Sequence, residues 1–148
     1  MFMIYLTVVA AVVSACNVFL FDGSIAGSLL RWLLVFPVGC GSMWAFLGHY
    51  FKSDEVAGYI GWPAGNPFQK EVAFANLAVG TCGLLSAFLD DGFRLATIVF
   101  VSVFLIGAFL VHTGEQKRSG NFKPGNAGPI YFTDLGIPLV LWVLHFLA

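Results

Sequence analysis

Five stretches of 18 to 21 residues run through this chain with scarcely a charge among them: 1–21, 32–51, 72–89, 93–111 and 130–148. At 1.5 Å of rise per residue, about 20 apolar residues cross the ~30 Å hydrocarbon layer of a bilayer. Backbone groups in lipid must pair within their own segment unless a barrel closes them, and barrel strands read as alternations of about ten residues. Long unbroken runs therefore predict an all-α, polytopic transmembrane helical bundle. It is read as a single transmembrane domain over residues 1–148, with five spans and two structured cytoplasmic loops. Only 10% of the 148 residues are charged, against roughly 25% in a soluble domain, which excludes a soluble enzyme. Seven Lys and Arg against eight Asp and Glu leave no basic face for nucleic acid.

Lys and Arg set the expected orientation. The connections 52–71 and 112–129 fall on one side and hold Lys52, Lys70, Lys117, Arg118 and Lys123. Arg31 and Arg94 fall on the other, beside Asp22, Asp90 and Asp91. The positive-inside bias predicts that the N-terminus and both long loops are cytoplasmic and that the C-terminus is outside. Val13-Ser14-Ala15-Cys16 has the form of a lipoprotein cleavage site, but Met1-Phe2-Met3-Ile4-Tyr5 lacks the positive leading region of a signal peptide. The expectation is a retained first helix. Cys16, Cys40 and Cys82 lie inside spans with no close pair, and are expected as buried apolar groups.

Small residues mark where helices approach in lipid. Gly41, Ala45 and Gly48 make one stripe, and Asn76, Gly80, Gly83 and Ala87 another. The two are expected inside the bundle, facing each other. Pro37 lacks an N–H and is expected to kink the second span.

The polar residues gather in the two long loops, which run in parallel. Each has a histidine closing a helix (His49, His112), then an acidic residue, then a cluster of Pro, Gly and Asn containing Asn66 or Asn126, then a carboxylate near the next helix start. Trp62, Phe68 and Phe122 are large apolar groups for solvated loops, and point to a cap folded over the mouth of the bundle. Asp134 lies about four residues into the fifth span, where a carboxylate is costly and marks a site or a buried pair. It shares a helical face with Pro138, Leu141 and His145, so that face is expected to look inward. Under the cap, Glu71, Asn76, His112, Glu115 and Asp134, with Trp62 and Asn66 above them, form the candidate ligand-binding set. His49, His112 and Glu115 are a candidate metal set, and two histidines at one depth are also a candidate haem pair, although neither cofactor is expected.

The segment Gly61-Trp62-Pro63-Ala64-Gly65-Asn66-Pro67-Phe68-Gln69-Lys70-Glu71, followed by Ala75-Asn76-Leu77, resembles an uncharacterised family of small multi-pass bacterial inner-membrane proteins. The resemblance implies a membrane location and transfers no catalytic residue. The leading expectation is binding of a small or lipid-like ligand under the loops, with transport as its extension. The alternatives are a membrane-embedded metal- or haem-dependent enzyme and an accessory subunit of a membrane complex. The expected partners are the lipid bilayer and either further copies of the chain or other subunits.

Overall fold

A computed structural model describes residues 2–148, which are helical almost throughout and include no strand. Helix α1 (Phe2–Phe21) turns back through Asp22, whose φ is 50°. The Ser24 hydroxyl then accepts the Gly27 N–H at 3.3 Å and starts α2 (Ile25–Leu33). This helix continues through a π-helical segment (Leu34–Cys40) into α3 (Gly41–Phe51). Pro37 sits inside the π segment, so the widened turn, rather than a break, absorbs its missing N–H.

After α3 come α4 (Ser53–Ile60), α5 (Phe68–Leu85), α6 (Asp91–Ser119), α7 (Pro124–Ala127) and α8 (Pro129–Leu147). Helix α4 ends on Gly61 and α6 on Gly120, both at positive φ, where only glycine is unstrained. Asp90 starts α6 by accepting the Phe93 N–H at 2.9 Å. Asp90→Ala is expected to cost about 1 kcal/mol, seen as a lowered unfolding midpoint in detergent.

Four helical stretches are long and apolar enough to cross a membrane: Phe2–Phe21, Ile25–Phe51, Asp91–Ser119 and Pro124–Leu147. The expected third span is not among them. Helix α5 has only 18 residues, and Gln69, Lys70, Glu71 and Asn76 dilute its apolar character. Two boundaries also shift. The second span begins at Ile25 rather than near Trp32, and α6 runs on to Ser119 rather than stopping at Val111. His112 and Glu115 therefore sit on a helix and not in a loop, because nothing before Gly120 breaks the α6 pattern.

Helix α5 packs along the π segment and α3, α1 packs against α2 and the π segment, and α8 packs against α6 and α2. The core joins Ala10, Leu30, Leu33, Leu34, Val38, Val79, Ile98, Val101 and Leu141. The glycine contacts correct the expected pairing of stripes. A β-carbon on Gly80 would meet the Met43 backbone nitrogen at 3.0 Å, and one on Gly83 the Gly39 backbone at 2.6 Å. Gly41 instead faces Met3 of α1, and Gly48 faces Val56. The π segment explains this change of partner, since one extra residue per turn moves Gly39 onto the α5 side. The cysteines are a second correction: Cys16 is exposed on α1, and Cys40 and Cys82 are half-buried.

Candidate functional site

The two loop segments meet over the end of the bundle. The Asn121 carboxamide donates to the Ile60 carbonyl at 2.9 Å, and buried Gly125 lies so close to Tyr59 that a β-carbon there would come within 2.6 Å of the ring. The two segments do fold against each other there, but of the three loop aromatics only Trp62 is half-buried, while Phe68 and Phe122 are exposed. Beneath this cap, α6 presents His112, α7 presents Asn126 and α8 presents Asp134, with 7%, 0% and 3% of their surface exposed. Trp62 stacks on the His112 imidazole, with ring centres 5.9 Å apart and planes 21° from parallel.

Asn126 is the hub. Its Nδ2 donates to the Asn121 carbonyl at 2.8 Å and to the His112 carbonyl at 3.3 Å, and its own backbone carbonyl accepts from Gln116 at 3.3 Å. With both amide hydrogens directed at carbonyls, Oδ1 must face the His112 Nδ1, which lies 2.7 Å away. Nδ1 therefore carries hydrogen and donates. The other ring nitrogen, Nε2, points toward Asp134 Oδ2 at 3.8 Å, too far for a hydrogen bond. That oxygen is buried and has no hydrogen-bond partner among the described residues. Buried polar atoms are rarely left so, because the lost hydration costs about 1–3 kcal/mol. Pro138 and Leu141 on the same face of α8 are also buried, while His145 at its far end is half-buried.

The remaining candidates lie apart from this cluster. Asn76 is buried on α5 and donates to its own helix at Val72 O, 2.9 Å away. Glu71 is exposed at the start of α5, where a carboxylate complements the helix dipole. Asn66 is exposed and accepts the Phe68 N–H at 3.0 Å. Glu115 is half-buried and accepts the Ser119 hydroxyl at 3.3 Å. His49 pairs through Nδ1 with Gln69 Oε1 at 2.5 Å, not with His112. Among the described residues, no three His, Cys, Asp or Glu side chains come close enough to hold a metal ion, so His49, His112 and Glu115 do not form a ligand set.

Asn126, Asn121, Gln69 and Gln116 are the participants that sequence reasoning passed over. Asn and Gly in a loop signal a turn before they signal anything else, and a carboxamide carries no charge to mark it as buried. The parallel between the loops did hold a clue. In both halves the histidine meets a carboxamide through Nδ1: His49, near the end of α3, meets Gln69, and His112, within α6, meets Asn126.

No curated protein and no solved structure matches the chain. Its whole length, residues 1–148, matches the model of a family of unknown function, DUF6790, and the chain belongs to that family.

Proposed function

We propose that this chain is a five-span protein of the bacterial inner membrane that binds, and passes on, a small or lipid-like ligand at the His112–Asn126–Asp134 site beneath the loop cap. The observation that carries this reading is the Asp134 carboxylate oxygen, held inside the bundle without a hydrogen-bond partner among the described residues. A protein that keeps such a group forgoes stability, and inside a membrane an ionisable residue marks a binding site or a pathway by default. Two features support α5 as the fifth crossing. Gln69 near its start meets His49 at the end of α3, and Gly83 near its end meets Gly39, so α5 runs antiparallel beside the later part of the second span. With five crossings, the capped face carries five of the seven basic residues and is the cytoplasmic one. An open cleft of about 190 Å³ between α1 and α8 is lined by Met3, Ile4, Thr7, Val8, Thr133 and Ile137, and Asp134 is not part of its lining.

The test is extraction of detergent-purified protein followed by mass spectrometry of the released small molecules and lipids. Wild type is expected to yield a species in proportion to protein, and Asp134→Asn to retain it about tenfold less, the equivalent of 1.4 kcal/mol. Equal recovery from the two, or no proportional species from wild type, overturns the reading.

A further inference from the structure

The tautomer imposed on His112 restricts what the site takes. Asn126 fixes hydrogen on Nδ1, so in a neutral imidazole Nε2 is a bare lone pair. An ionised Asp134 would then set a second lone pair against it across 3.8 Å, with both groups almost fully buried. Neither side has another ionic partner: among the described residues, the ion pairs besides this one are Lys52–Glu55 and Arg94–Asp91. The site lacks one hydrogen, and none of the described residues around it supplies one.

The neighbouring groups are already committed or turned away. On α6, Glu115 accepts from Ser119, and Gln116 donates to the Asn126 carbonyl. On α8, the Tyr131 hydroxyl pairs with Thr113 of α6 at 3.2 Å. The cap contributes Asn126 and the face of the Trp62 ring, and Lys123 on its rim is exposed. On α4 and α5, Asp54, Glu55, Lys70 and Glu71 are exposed. From α2 the charged group is Arg31, and that helix begins beside the opposite end of α8, where Gly27 nears Ala148.

We propose that His112 and Asp134 together bind one proton, shared across the Nε2–Oδ2 gap and exchanged with water on the capped face. This rests on the reading of the buried pair as a binding site, and it names the site's resident ligand. On Nε2 the proton makes an imidazolium facing a carboxylate. On Oδ2 it makes a neutral carboxyl that donates to a neutral imidazole. Both arrangements are neutral overall, and loss of the proton to water leaves the pair with one negative charge. About 1 Å of side-chain movement closes the 3.8 Å separation to hydrogen-bond length. Any larger ligand that enters must bring an N–H or O–H donor in the proton's place.

The test is a pH titration of the full chain in phospholipid vesicles, with ¹⁵N-histidine NMR for the ring nitrogens and infrared difference spectra for the Asp134 carboxyl. His49 and His145 serve as internal controls, and His112→Gln identifies the His112 signals. Three results are expected: His112 Nδ1 carries hydrogen throughout, Nε2 and the Asp134 carboxyl change in one step that binds a single proton, and Asp134→Asn moves the His112 transition by about tenfold or more in proton concentration. A bare Nδ1, two separate transitions, or a His112 transition unmoved by Asp134→Asn overturns the proposal. Because His112→Gln alone assigns the wild-type histidine spectra, a poorly folding Asp134→Asn leaves the first two criteria decisive. A one-step transition with no extractable ligand keeps proton binding and removes the small-molecule reading, whereas a retained ligand with separate transitions does the reverse.

Discussion

Gly83→Ala is expected to destabilise the fold by about 3 kcal/mol, the upper end of what overpacking a close-packed contact costs. The new methyl carbon would lie 2.6 Å from the Gly39 nitrogen, 2.7 Å from its α-carbon and 2.7 Å from the Leu34 carbonyl oxygen. All three are backbone atoms of the adjoining π segment, so no side chain can swing aside and the two helices must part. Gly41→Ala offers an instructive contrast, since its close neighbour is the flexible end of Met3. Gly107→Ala on α6 has nothing within 4 Å, and is expected to be neutral or mildly stabilising because alanine is the better helix former. Unfolding midpoints of the three variants in one detergent give the ranking. If Gly83→Ala matches Gly107→Ala, the close packing of α5 on the π segment is refuted.

Asn126→Ala is expected to cost nearly as much, about 2 to 3 kcal/mol, by a different route. It strands the buried His112 Nδ1–H and takes a donor from the carbonyls of His112 and Asn121; a stranded buried group costs about 1–3 kcal/mol, while the His112 carbonyl keeps its place in the α6 ladder. The loss should be local before it is global, because Asn121 also holds the Ile60 carbonyl and so ties the two loops. Limited proteolysis reads this directly: cleavage in 52–67 and 120–128 should quicken together in Asn126→Ala. Asn66→Ala, by contrast, removes one exposed bond to Phe68, and should leave both segments as resistant as in wild type. Quickened cleavage of only one segment would show that the loops are not joined through Asn126.

The helical, membrane-spanning character was legible because it rests on composition and run length, which tertiary packing does not override. Helix α5 was harder, because Gln69, Lys70 and Glu71 fall within its first turn while its remaining turns read as a span. The inward face of α8 could be read from the 3.6-residue spacing of Asp134, Pro138 and Leu141, all of them buried. The meeting of Asp134 with His112, or of Asn121 with Ile60 across 61 residues of chain, has no such periodic signature. Those contacts depend on how the loops fold back over the helix ends. The glycine stripes show the same limit from another side. Spacing revealed that the residues would lie in contacts, but the π segment rotated the partners, and a wide turn leaves no pattern beyond a lone proline.

That wide turn makes one continuous helix into two independently aimed surfaces. In an unbroken α-helix each residue advances the face by about 100°, so a single stripe would have to suit every neighbour along all 27 residues from Ile25 to Phe51. The Leu34–Cys40 segment acts as a phase shifter between them. Above it, α2 is dressed for α1 and α8; below it, α3 is dressed for α5. The rod thereby serves as the hub of the bundle without a loop in the hydrocarbon, and every backbone group stays within reach of a partner along the same chain.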